Sequence, residues 1–383
     1  MISRENYSEE HIRSLQAASK GDPGLIERTL YAFGLLEALA LAGLDFTFKG
    51  GTSLLLLLPA PKRLSTDIDI IVNPGTDIAK YIERASRIFP FTSVTEQRRE
   101  GKNKIVKQHF KFTYMSPIKQ GPLYILLDVL FEENHYKRLT EKQINNELLI
   151  TEGENISVRV PSADCILGDK LTAFAPYTTG IPIREKKDLE VIKQFYDIST
   201  LIDAFEKFSD VRSTYMAVSA AELSYRGKNN TSEDALEDTI RAAICIGSKG
   251  KYAEADYPSY LRGTRDIANH IYERGYNMES AASLAPKVIY MAACILTGTS
   301  FEKNIDAEKL RSETLTQKDL LTMKSFRKAR TDGYGYLILA DRLLSSFREK
   351  DDYMIAEKLR KAVDRADREG WVSDNEIQKI MKE

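Results

Sequence analysis

The stretch from Lys49 to Asp69, KGGTSLLLLLPAPKRLSTDID, holds the residues best suited to chemistry. Asp67 and Asp69 stand two apart at the head of the apolar run Ile70–Val72. Residues two apart on a strand share a face, so both carboxylates project together while Ile68 and Ile70 turn to the buried side. Two carboxylates side by side repel, and they call for a cation or a proton between them. A pair of Mg²⁺ ions meets that demand in phosphoryl-transfer sites. Upstream, Gly50 and Gly51 follow the strand-like run Phe46–Phe48, and Thr52 and Ser53 open a leucine-rich helix. Glycines at that point let a phosphate approach the backbone N–H groups of a helix start. Each half has an ordinary reading when taken alone: a Gly-Gly turn, and a solvated strand edge.

The elements that must position these groups can be read from periodicity. Ile26, Leu30, Phe33, Leu36 and Ala40 recur at helical spacing, which predicts a helix over Leu25–Leu41 with Gly43 as its C-cap, packed behind the first strand. Asp77–Phe89 reads as the next helix, ended by Pro90. His109–Met115 and Leu123–Phe131 read as strands joined by the turn Ser116–Pro122. The second strand, LYILLDVLF, is apolar but for Tyr124 and Asp128. A carboxylate inside such a strand is costly unless it is paired or binds a metal. His109, between other strand residues and beside Phe110, reads as structural. The run Gln97–Lys111 carries Arg98, Arg99, Lys102, Lys104, Lys107 and Lys111 against the single acid Glu100. It reads first as a lysine-guarded hairpin edge and second as a surface for a phosphate backbone.

Ile156–Val160 reads as a last short strand, after which Ser162 or Asp164 caps the helix ADCILGDKLTAFAP. Lys170 lies on it between Leu167 and Leu171, where a lysine either snorkels to solvent or neutralises triphosphate charge. Asp188 and Asp197 fall on the following helix, KKDLEVIKQFYDISTL. About two and a half turns separate them, so only one can face Lys170. The ordinary partner for Asp197 is Lys193 at i−4. From about Ser209 no strand alternation persists. Tyr215–Tyr225, Glu233–Ile246, Tyr257–Arg274, Ser280–Thr297, Thr316–Lys328, Gly335–Phe347 and Asp352–Arg368 read as helices, separated by Gly-, Asn- and Ser-containing breaks.

Composition bounds the class. The 383 residues suffice for two domains, and 43% hydrophobic with 29% charged residues is the balance of a globular protein. A net charge of −1 gives no global basic field, so a polynucleotide partner would need a local patch. Cys165, Cys245 and Cys294 lie far apart without CxxC spacing, which argues against a zinc site or a disulfide framework and fits a reducing compartment. The polar start MISRENYSEE and the short, Glu37-interrupted run Leu35–Leu44 predict neither a signal peptide nor a membrane span; a cytoplasmic protein with no membrane partner is expected.

The order of these motifs, a Gly-Gly turn, a short helix and then DxD on the next strand, resembles the nucleotidyltransferase superfamily. The wording KGGTSL…RLSTDIDI is similar to the AbiEii/AbiGii toxin family within it, the nucleotidyltransferase toxins of abortive-infection and toxin–antitoxin systems. The resemblance covers roughly residues 25–205. It implies a nucleotidyltransferase-type mixed sheet with flanking helices over residues 1–208; with the strand-free texture beyond Ser209 read as an α-helical domain over 209–383, the expected fold is α+β. It implies that Asp67, Asp69 and Asp128 hold Mg²⁺ in a two-metal site, that Gly50, Gly51, Thr52 and Ser53 cradle the phosphates of a nucleoside triphosphate, and that pyrophosphate leaves. Lys170-Leu171-Thr172-Ala173 matches the family phrase KL.A, and Asp197 matches the acid of (Y/F)D(I/L)..L, so these two residues complete the expected site. The resemblance further implies a tRNA or other RNA acceptor and a cognate antitoxin. The chain is longer than the minimal family domain, and its helical half could change the acceptor or bind a partner. A small-molecule acceptor, a protein acceptor and a catalytically silent nucleotide-binding module are the rival expectations.

Overall fold

The computed structural model describes residues 1–97, 106–183, 185–227, 229–272, 275–329 and 332–369. After a 3₁₀ turn, α1 (Glu9–Ser19) and α2 (Pro23–Leu41) lead into β1 (Thr47–Lys49), α3 (Gly50–Leu57), β2 (Ile68–Val72), α4 (Ala79–Ser86), β3 (Phe91–Glu96), β4 (Lys107–Met115), β5 (Pro122–Phe131), β6 (Leu139–Gln143) and β7 (Ser157–Pro161). The remaining helices are α5 (Ala163–Ala173), α6 (Asp188–Ala204), α7 (Phe208–Arg226), α8 (Ser232–Gly247), α9 (Tyr257–Ile267), α10 (Met278–Thr297), α11 (Ala307–Leu310) and α12 (Gly333–Glu369). The strands form one mixed sheet in the order β3-β4-β5-β2-β1-β7-β6. This is the α+β architecture expected from the sequence.

Alternation along the central strands decides which face is which. Ile68 and Ile70 of β2 and Ile125, Leu127 and Val129 of β5 are buried in one core with Leu30, Phe33 and Leu36 of α2. Asp69 and Asp128 therefore lie on the opposite face, for the period-2 reason alone. Two parallel strands carry them, with Asp69 and Asp128 as register partners. The α2 helix starts where Asp22 accepts from the Leu25 N–H and Pro23 occupies the first turn, a start that relieves orphan donors and presets the backbone. At α5 it is Ser162 that caps, accepting from the Cys165 N–H.

Apolar packing does not follow a division at residue 208. A second core joins α5 and α6, through Leu171, Phe195 and Ile198, to α8, α10 and α12. Among the described residues one helix, α10, is long and apolar enough to cross a membrane, and it is largely buried in this core. Several elements differ from the sequence reading. The strands β3 and β6, with burial patterns that lack clean alternation, were not expected. Thr316–Lys328 does not form an α-helix; a 3₁₀ segment covers Leu320–Arg327, and the backbone N–H groups of Thr316 and Gln317 are held instead by the buried Asp341 carboxylate. The two last expected helices are one, because Arg348–Asp352 contains no Gly or Pro to break it. Helix α9 ends at Ile267, short of the expected Arg274. The chain then runs antiparallel to Lys62–Leu64: the Leu64 N–H donates to His270 O at 2.7 Å and the Tyr272 N–H to Lys62 O at 3.0 Å. Of the basic run, Arg98, Arg99, Lys102 and Lys104 lie outside the described residues; Lys107 and Lys111 stand on β4.

Candidate active site

The site begins at the turn from β1 into α3. Lys49 is the N-cap and supplies no side-chain cap, so no capping side chain satisfies the first N–H groups of α3. The hydroxyls of Thr52 and Ser53 are fully buried and engaged within the loop, on Asp67 O at 2.6 Å and Gly50 O at 2.8 Å. What these two residues can offer a phosphate is their backbone. The glycines have a steric reason beyond phosphate access. Gly50 has φ +81°, and a Cβ there would lie 2.1 Å from Asp69 Oδ2. A Cβ on Gly51 would lie 2.3 Å from Arg63 Nη2. The Gly-Gly pair thus lets two charged side chains pack against the turn.

Asp69 lies on β2, half-buried, in register with Lys49 on one neighbouring strand and Asp128 on the other. Burial, then the charges of Asp128 and Asp67, push its carboxyl up to about 7, against the opposing pull of Lys49 and Lys170. Asp67 stands just ahead of β2 rather than on it. Its side chain is 47% exposed and leans toward Arg28, whose Nη2 is 3.9 Å away. Asp128 is held from its other side by His109, with Nδ1 2.6 Å from Oδ1. Among the described residues no group of three His, Cys, Asp or Glu side chains is gathered so that it could hold a metal ion. The donor chemistry nevertheless fits a hard divalent ion: the candidates are all carboxylate oxygens, and burial together with its acidic neighbours raises the proton affinity of the central one.

Lys170 and Asp197 meet, with Nζ 3.0 Å from Oδ2. Lys170 also donates to Gln194 Oε1 at 2.9 Å, and it is buried rather than snorkelling. The Asp197 partner expected at Lys193 is replaced by Arg63, which grips both oxygens: Nε to Oδ1 at 2.6 Å and Nη2 to Oδ2 at 2.8 Å. Burial alone would raise the Asp197 carboxyl, but Arg63 and Lys170 hold it below the usual carboxylate range. Asp188 faces away and pairs with Arg262. Lys193, close to Asp67 and Arg63, makes no ion pair within 4.0 Å among the described residues, and burial followed by Arg63 lowers its ammonium.

Sequence reasoning missed three residues. Arg63 joins the turn at Gly51, the acid on α6 and, through its backbone bridge to Ile271, the segment after α9. Its signal was its place in the phrase RLSTDID. Lys49 pairs with Asp169 Oδ2 at 3.2 Å, and the Tyr136 hydroxyl donates to the same oxygen at 2.7 Å. Its signal was its strand position beside the glycines. His109 had a signal in hairpin symmetry: a turn centred between Ile118 and Lys119 places it opposite Asp128.

A family model described as "Nucleotidyl transferase AbiEii toxin, Type IV TA system" matches residues 34–266. No curated protein matches the chain in sequence. Among solved structures, JHP933 from Helicobacter pylori is similar at 13% identity and a TM-score of 0.40, over 71% of this chain and 93% of that one. An H. pylori protein described as a candidate nucleotidyltransferase is similar at 13% identity and a TM-score of 0.43, over 71% of this chain and 96% of that one.

Proposed function

The chain belongs to the AbiEii nucleotidyltransferase toxin family, and on that footing we propose that it moves a nucleoside monophosphate from a nucleoside triphosphate to an acceptor hydroxyl, releasing pyrophosphate. The observation that carries this reading is the alignment of Asp69 with Asp128 on parallel neighbouring strands, with Gly50 at the open start of α3 packed against Asp69. In this reading the α3 backbone N–H groups receive triphosphate oxygens. Asp67, Asp69 and Asp128 hold Mg²⁺, which when bound supplies charge neutralisation at the entering and departing oxygens. In the same reading Asp128 would take the proton of the attacking hydroxyl. Asp197, fixed by Arg63, holds the Lys170 ammonium in place toward the phosphates, so that positioning precedes chemistry.

The acceptor we take to be RNA, tRNA foremost, and the cellular role that of a toxin held by a separate antitoxin. Residues 1–208 are the catalytic unit in this proposal and 209–383 a helical unit that shares a core with α5 and α6 and also meets Lys62–Leu64 through His270–Tyr272. The test is to incubate the full chain with each α-labelled nucleoside triphosphate and total RNA or protein. Label in RNA of tRNA size, lost in Asp67→Ala together with growth arrest on expression, is the expected result. Growth arrest that survives Asp67→Ala would sink the catalytic reading in favour of a binding module. Label confined to protein or to a small molecule would keep the enzyme and discard the RNA acceptor.

A further inference from the structure

One group in contact with the site has no part in the chemistry above. His109, Asp128 and Asp69 form a row across three adjacent strands: His109 and Asp128 are register partners between antiparallel β4 and β5, and Asp128 and Asp69 are partners between parallel β5 and β2. The His109 side chain is 14% exposed and Asp128 37%, so the carboxylate is the more accessible member of the pair. The Nδ1–Oδ1 distance is 2.6 Å. An ionised carboxylate only accepts, so Nδ1 is the donor of this bond. Among the described residues Asp128 Oδ2 receives no hydrogen bond.

Like charges repel, and among the described residues His109 is the side chain that hydrogen-bonds Asp128 beside Asp69. A hydrogen bond to a charged acceptor is roughly twice as strong as a neutral one, and carboxylates that ligate metals are themselves oriented by hydrogen bonds from an outer shell. We propose that His109 is a positioning residue for the transfer reaction: it fixes Asp128 by Oδ1 and so presents Oδ2, which accepts no hydrogen bond among the described residues, to the site. Asp128 then acts through one oxygen, as a single-point ligand or proton acceptor. The inference rests on the role given to Asp128 above.

The test uses the full chain, Mn²⁺ as the metal probe read by electron paramagnetic resonance without nucleotide, and steady-state kinetics. His109→Phe keeps a flat ring and removes the donor; His109→Asn restores a donor near the position of Nδ1. His109→Phe should weaken Mn²⁺ binding and lower kcat by about tenfold to a hundredfold, the usual range for an outer-shell partner, with KM for the nucleotide and the thermal midpoint little changed. His109→Asn should recover most of both. Wild-type Mn²⁺ affinity and kcat in His109→Phe, while Asp128→Asn is inactive, would overturn the inference and leave the role of Asp128 standing. Unchanged metal binding and transfer in Asp128→Asn would remove that role, and the inference with it. Losses in His109→Phe that track a fall in thermal midpoint and are not recovered by His109→Asn would make His109 merely structural.

Discussion

Replacing Asp197 by Asn should be among the most damaging conservative changes in this chain. The carboxylate is 1% exposed and serves two buried cations, Arg63 through both oxygens and Lys170 at 3.0 Å. At an effective dielectric of about 20, a unit pair at that separation attracts by roughly 5 kcal/mol. Desolvation of each ion cancels much of this, so the intact cluster contributes little net stability. Asp197→Asn removes the attraction without returning either cation to water. The expected cost is about 3–5 kcal/mol, against a total of about 5–15 kcal/mol for a folded domain. Lys170→Met leaves the Arg63 pair intact and should cost about 1.5–3 kcal/mol, the range for lost hydrogen bonds to charged groups. The double variant should cost less than the sum, because one stranded cation has been removed. The assay is urea denaturation followed by far-ultraviolet circular dichroism, comparing midpoints at unchanged slope. The pH dependence has a definite sign. Asp197 has a folded pKa below its unfolded value, so its contribution is present above the unfolded pKa and is lost as pH falls below about 4. Asp197→Asn should lack that acid-side loss. A variant within about 1 kcal/mol of wild type, an effect too small for a stranded buried charge, would refute the argument.

Three other outcomes follow from the geometry. Gly50→Ala places a methyl group 2.1 Å from Asp69 Oδ2 on a backbone of φ +81°, so transfer and Mn²⁺ binding should both be lost; wild-type Mn²⁺ affinity would contradict this. Asp69→Asn should stabilise the metal-free chain in EDTA at pH 8. The wild-type carboxyl, raised to about 7 chiefly by burial and then by Asp128 and Asp67, holds a stability that is full below the unfolded pKa of 3.8 and declines as pH rises toward 7. Because Asp69 is half-buried and partly screened, the gain should be about 1–3 kcal/mol, shrinking to nothing near pH 4 in parallel thermal melts. Lys170→Arg should retain only part of the activity, since a planar fork cannot reproduce a point charge that also bonds Gln194 and Asp197; full kcat would show that only the charge matters.

What the sequence determined by itself is what local periodicity and chemistry carry. The period of 2 in DIDII and LYILLDVLF puts Ile68, Ile70, Leu127 and Val129 on one face and Asp69 and Asp128 on the other, whatever the strands pair with. Apolar spacing marked α2, the helix after Ser162 and most of the C-terminal helices, and the phrases KGGTSL and RLSTDIDI carried the family. Tertiary structure alone decided what depends on contacts far apart in the chain. The register of parallel strands, which makes Asp69 and Asp128 partners, is set by crossover packing and has no local signature. Arg63 and Asp197 lie 134 positions apart, and a charged side chain takes the nearest burial-compatible partner in space, here Arg63 instead of Lys193 one turn away. The same holds for Lys49 with Asp169 and for the His270–Tyr272 segment bonded to Lys62–Leu64. Half-solvated strands such as β3 and β6 escaped notice because edge positions impose little alternation on their sequence, and pairing with a neighbour is what makes them strands.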